Sequence, residues 1–378
     1  MKKMKSNLSV RRPRRYVNCL LMLVFLIMLC VTVEAQPDTV TWTGNGTNNL
    51  WTNPKNWDHN MVPTKDHAVI IPGNSGEIET GGMIIYVKSL TLLDNNQSRG
   101  NITKIIPGRS SSSVIIEAGN EVIIGIGCTI MGTNGIGGNV RIVSSNGNFT
   151  NKGILQGGNG AGRKGVGGYV KIKAEKNITN WGTLQGGNGS GTAGGGFVTM
   201  HSRNGNIANE GILQGGNGGS KEGNGGYIGI ETLVGDIMNK GTLQGGNGGG
   251  RIGIGGSVIL QAWKKSIVND GTLQGGNGGS SRVRGLIYSR GGDILVRAEK
   301  NITIKGSPTK IIQGGIGGPS LGRGGNVNIR ANSGSIDLRG NTTIIIRAIS
   351  GSIYLKGNIK LSTGVELKDI TDPVAIIK

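Results

Sequence analysis

Cysteine is nearly missing from this chain of 378 residues: there are three, and two of them, Cys19 and Cys30, fall in an apolar N-terminal segment. Only Cys128 remains beyond it, so an internal disulfide framework is excluded as the source of stability. Histidine is as scarce. His59, His67 and His201 form no spaced ligand set, and the Gly-Gly-x-Gly stretches lack the Asp of calcium-binding repeats, so neither a metal nor a cofactor is expected. Gly160 to Lys164 looks superficially like a phosphate loop, but no Lys-Ser or Lys-Thr follows at the required spacing. Aromatics number 14 (5 Trp, 6 Tyr, 3 Phe), too few for one thick globular core. Acids are outnumbered, 21 against 41 bases. Mid-chain carboxylates are too sparse for an obvious acid and base pair.

What is abundant is glycine, 73 residues, without the triplet period of collagen and too dense for helix. Lys2, Lys3, Lys5, Arg11, Arg12, Arg14 and Arg15 precede an apolar run from Leu20 to Val33 that closes on Val33-Glu34-Ala35. This pattern reads as a cleavable signal peptide over 1–35 and places the mature protein outside the cell or on its surface. Removing that segment leaves 34 bases and 20 acids, a formal charge of +14.

The main signal is repetition. Leu-Gln-Gly-Gly-Asn-Gly starts at Leu155, Leu184, Leu213, Leu243 and Leu273, with a degenerate copy at Ile312, at spacings of 29, 29, 30, 30 and 39. Each copy leads through a glycine-rich loop into an alternating run such as Val170-Lys171-Ile172 or Val258-Ile259-Leu260. Period-two alternation means a strand with one apolar face. A second short strand follows in each unit, with Asn two positions after an apolar residue: Asn151, Asn180, Asn209, Asn239 and Asn269. The Leu-Gln segment is the third. Three short strands in about 30 residues predict one coil of an all-β parallel β-helix, or β-solenoid, of right hand. A single coil buries too few aliphatics to offset the entropy of ordering it, so the coils must stack. The Asn row then reads as an internal ladder, and the glycines as corner residues of positive φ.

The expected organisation is a Trp-containing N-terminal cap at 36–80, irregular first coils at 81–135, regular glycine-rich coils at 136–335, and short C-terminal coils with a cap at 336–378. The cap segment carries Thr41-Trp42-Thr43-Gly44-Asn45-Gly46, Trp51, Asn56-Trp57, Pro63, Asp66 and Val69-Ile70-Ile71. It resembles the Trp, Asn-Trp, Pro, Asp module that opens many bacterial secreted right-handed β-helix surface proteins. The later coils resemble haemagglutinin-type and autotransporter-passenger repeats. The resemblance implies an exported rod at or released from the cell surface. It also implies that the open ends need covering, because a bare end templates end-to-end self-association.

Alternation fixes which residues point outward. One outward row reads Asn139, Tyr169, Phe197, Tyr227, Ser257, in which Tyr169, Phe197 and Tyr227 are either a sugar-stacking strip or a stabilising aromatic ladder. The glycine-rich loops carry Arg163, Lys164, Lys221, Arg251, Arg282, Arg284, Arg290 and Arg323, expected on one edge. Their summed field, with amides in the loops forming anion-binding nests, favours anionic polysaccharide or another cell-surface polymer as partner. No motif for specific nucleic-acid recognition is present. The expected function is structural or adhesive, with a polysaccharide lyase or hydrolase on the same scaffold as the alternative. That alternative has little to stand on: Glu210 and Asp270 share a row interrupted by Lys240, and Glu231 near His201 and Lys173 is the one mixed cluster. No catalytic residue is assigned.

Overall fold

The computed structural model describes residues 38–95, 102–108, 112–250, 252–279, 289–305, 311–318, 322–339, 345–347, 353–361 and 375–377. The expected signal peptide and the candidate residues Arg251, Arg282 and Arg284 lie outside them.

The unit spanning Asp38–Lys378 is an all-β solenoid of about nine turns built from parallel strands. Each regular coil contributes a five-residue strand and two three-residue strands, as in Val170–Ala174, Ile178–Asn180 and Thr183–Gln185. The alternating sequence sets the register. Val140 pairs with Val170, Val170 with Val198, Val198 with Ile228 and Ile228 with Val258, each one coil further on. In the third strand Leu155, Leu184, Leu213, Leu243 and Leu273 align in the same way. Like side chains therefore stack on like at about 4.8 Å, and each inward aliphatic is wholly buried.

The Leu-Gln strands form a separate sheet of ten strands, from Glu77–Glu79 to Ile345–Arg347. The other two strand columns run into one sheet because Val327–Arg339 continues unbroken through both and pairs with Ile294–Ala298 and Ile302–Lys305. At the regular coils a bend separates the two columns. Ser202 shows how it is held: its hydroxyl donates to the Lys176 carbonyl (2.6 Å) and accepts from the Gly205 amide (2.9 Å).

At the N-terminal start of the stack, Thr39–Thr41 pairs with Ala68–Ile71, which pairs with Ser89–Leu92. Trp42, Trp51 and Trp57 are buried there in edge-to-face contact, with centroids 5.0 and 4.8 Å apart, and the Trp57 indole donates to the Trp51 carbonyl.

The internal Asn ladder is present. Asn151, Asn180, Asn209 and Asn239 each donate to the side-chain carbonyl of the next Asn at 2.8 Å. Each amide also reaches a turn carbonyl of its own coil, such as Gly182 from Asn180 at 3.1 Å. The ladder stops where its column changes residue, at Ile124 before Asn151 and Ile304 after Asn269.

The corner-glycine expectation needs correction. Among the described residues eleven glycines have positive φ. The greater number sit where neighbouring backbones touch. Gly187 and Gly196 pinch the two legs of their loop together, the Gly196 amide donating to the Gly187 carbonyl (2.7 Å). The next coil continues the chain from Gly216 to Gly196 (2.9 Å) and from Gly226 to Gly216 (2.7 Å). A Cβ on Gly216 would stand 1.9 Å from the Gly187 carbonyl oxygen. Crowding at zero side-chain thickness, more than φ, is what requires glycine there.

Candidate functional site

Three surface features carry the chemistry: the tips of the glycine-rich loops, the aromatic row beside their base, and the outward face of the five-residue strands.

At the loop tips, Arg163, Lys164 and Lys221 are exposed. Their backbones belong to one column, since Thr192 donates to the Arg163 carbonyl (3.2 Å) and Lys221 donates to the Gly191 carbonyl (2.8 Å). Arg163 and Lys221 therefore stand two coils, roughly 10 Å, apart. Between them Gly191 offers no charge, and Glu222 follows Lys221. The expectation of free loop amides fails at several positions. Gly189 and Gly218 donate to Asn217 and Asn247 of the next coil (2.8 Å each), while Ser190 and Gly219 donate back to Gly165 and Ala193 (2.8 Å each). These amides are spent on joining loop to loop, so an anion at the tips meets side-chain charge.

Arg290 and Arg323 do not share that position. They bridge each other in parallel register at the loop base, where the Arg290 carbonyl accepts from Gly255 (2.8 Å). The Arg290 guanidinium grips both oxygens of Asp293 at 2.8 Å, which offsets its charge toward any other anion. The eight bases expected on one edge therefore resolve, for the five described, into a tip group and a base group.

Tyr169, Phe197 and Tyr227 form a continuous stack, with centroids 4.8 and 5.0 Å apart and ring planes 8° and 17° from parallel. Both faces of Phe197 are taken by its neighbours. The geometry is that of a cross-strand aromatic ladder, which leaves ring edges and the outer face of Tyr227, 41% exposed, for any ligand.

The row of Glu210, Lys240 and Asp270 is the alternating charge column expected, with Lys240 on Glu210 at 3.0 Å. Among the described residues, no group of three His, Cys, Asp or Glu side chains is placed to hold a metal ion. Cys128 is enclosed, its thiol donating to the Leu93 carbonyl (3.2 Å). Burial, aided by the Asp94 charge, pushes that thiol up to about 11.

The feature that sequence reasoning passed over is a cleft of about 440 Å³ on the outward face of the five-residue strands. Gly229 lines it, in the outward row Arg141, Lys171, Thr199, Gly229, Ile259. A glycine amid alternating strand residues was the available signal. The His201–Glu231 contact anticipated from sequence lies at its rim, with His201 Nδ1 to Glu231 at 3.3 Å and the Trp263 indole donating to Glu231 at 2.6 Å. Lys173 and Gln261 complete that column on either side.

No family model, no curated protein and no solved structure matches the chain.

Proposed function

We propose that this protein is an exported structural or adhesive β-solenoid, displayed at or released from a bacterial cell surface, that holds anionic polysaccharide or a related surface polymer at its loop tips. The observation that carries the reading is the exposed tip column of Arg163 and Lys164 with Lys221, two coils apart on loops tied rigidly to one another. Loop backbones tied by these hydrogen bonds present the cations without the loops first having to order themselves. The basic balance of the whole chain adds a long-range field of the same sign. The Trp-containing opening module and the haemagglutinin-like coils favour a surface setting.

Retention of the mature protein on heparin and alginate columns tests this reading. The triple variant Arg163→Gln, Lys164→Gln, Lys221→Gln is expected to elute at lower salt and to bind roughly tenfold more weakly, since exposed charge contacts contribute about 0.2 to 1 kcal/mol each. Unchanged elution contradicts it. The second reading, a polysaccharide-active enzyme, draws on the His201–Glu231 contact beside Lys173 in a cleft. Release of reducing ends or unsaturated sugars from the bound polymer would put it first.

A further inference from the structure

We propose that the cleft over Gly229 is a subsite for a single hexuronate unit of a polysaccharide, a sugar ring bearing a carboxylate, held on a different face from the loop tips. One side chain is missing from its floor. Along its column, Lys171, Thr199, Gly229 and Ile259 occupy successive coils, so Gly229 leaves an opening one residue wide. Glycine at the interior of a strand weakens the strand, and such a position characteristically marks where another group approaches the backbone closely. The Thr199 methyl and the Tyr227 ring border the missing side chain, 3.3 and 3.5 Å from where its Cβ would stand, and the cleft, about 440 Å³, falls in the range of small-molecule sites, roughly 300–1,000 Å³.

The lining has a direction. Lys171 and Lys173 make one end cationic, and Glu231 lies two coils from Lys173, roughly 10 Å away. A carboxylate placed at the lysines would leave the ring hydroxyls facing Glu231, whose oxygens are held by the Trp263 indole and His201. Such a charged acceptor binds hydroxyl donors strongly. Tyr227 and Ile259 border the opening with apolar surface for the C–H face of a pyranose, the usual aromatic and aliphatic contribution to such a pocket. The Thr199 hydroxyl, buried in the wall, has no hydrogen-bond partner among the described residues. Burial raises the Tyr227 phenol above its ordinary value, and like any phenol it is protonated, hence a donor, at neutral pH. One acidic, one basic and one apolar border around a ring-sized hole fit a uronic acid better than a neutral sugar, which leaves the lysines unused, or a simple anion, which leaves Glu231 and the apolar border unused.

Short oligosaccharides separate this site from the loop tips, which are read by retention of long polymers. Isothermal titration of the mature protein with tetrasaccharides of galacturonate, glucuronate and mannuronate, and with uncharged galactose and glucose tetrasaccharides, is the direct measurement. Trp263 fluorescence serves as a second readout because its indole sits on Glu231. At least one uronate is expected to bind, with affinity falling at least tenfold in Gly229→Val and in Lys171→Gln/Lys173→Gln, and the uncharged sugars are expected to bind at least tenfold more weakly. Valine suits a strand and narrows the opening, with its Cβ 3.3 Å from the Thr199 methyl. Circular dichroism and melting confirm that it folds, and the lysine pair stands as the test if it does not. Affinity unchanged in either folded variant, equal binding of uncharged sugars, or no uronate binding at millimolar concentration overturns the proposal.

Discussion

A buried carboxamide has two donors and an acceptor to satisfy, and Asn209 shows how the stack does so: it donates to Asn239 (2.8 Å) and to the Gly211 carbonyl (3.2 Å) and accepts from Asn180 (2.8 Å). Asn209→Leu is nearly the same size but strands the Asn180 donor and the Asn239 side-chain carbonyl, while the Gly211 carbonyl keeps the Thr242 amide (3.0 Å). A loss of about 2 to 4 kcal/mol in urea unfolding is expected; a change below about 0.5 kcal/mol means that the ladder contributes little. This ladder was legible because Asn recurs at a fixed step from an apolar residue. A second one was not. Asn159, Asn188, Asn217 and Asn247 each accept, through the side chain, the backbone amide of the Asn one coil later (2.7 to 2.8 Å). Within one repeat such an Asn is simply a loop residue, and its role appears only when the next coil is set beside it. Cys128 belongs to the same scale. With its pKa raised to about 11 by burial, then by Asp94, the thiol stays protonated at pH 8, where an ordinary cysteine is partly thiolate. Native protein is expected to react with iodoacetamide at least tenfold more slowly than urea-unfolded protein, and equal rates contradict the enclosure. The sign for stability is fixed: the folded chain holds this proton more tightly, so stability falls as pH rises from 9.0 toward 11.

At the scale of the element, strands were easier to read than loops. Alternation named the inward residues of each five-residue strand, and Val170, Ile172, Val198 and Met200 are all fully buried. The loops misled because glycine has two uses, and a sequence does not say which one applies. Positive φ was the expectation; close contact between hydrogen-bonded legs is the commoner finding. Gly216→Ala tests this, since the new methyl would meet the Gly187 carbonyl at 1.9 Å. The backbones must separate, costing about 1 to 3 kcal/mol and lowering the melting temperature. At Gly76, where φ is +73° but nothing lies within 4 Å, alanine meets only the strain of φ. A larger loss at Gly76 than at Gly216 would restore the corner reading. Joining the loops to one another also consumed the amides expected to bind anions, which a single-loop view could not reveal.

Across the whole molecule, stacking converts a row of similar residues into a column about 4.8 Å apart, and every surface assignment depends on that conversion. The tip cations, the aromatic ladder and the Gly229 cleft are each a set of residues about 30 apart in sequence brought together by it. The cleft is hard to see in the sequence because it is an omission: Gly229 displays no side chain in its column. The most direct test is pulsed electron–electron spin distance measurement on one outward column, in a Cys128→Ser background. Thr150, Thr179, Ala208, Met238, Val268 and Thr303 are consecutive partners. Labels at Thr150 and Val268 span four coils, about 19 Å, and labels at Thr150 and Thr303 span five, about 24 Å. The account predicts narrow distributions that lengthen by about 4.8 Å for each added coil. Broad distributions, or distances that fail to grow linearly with coil number, contradict it.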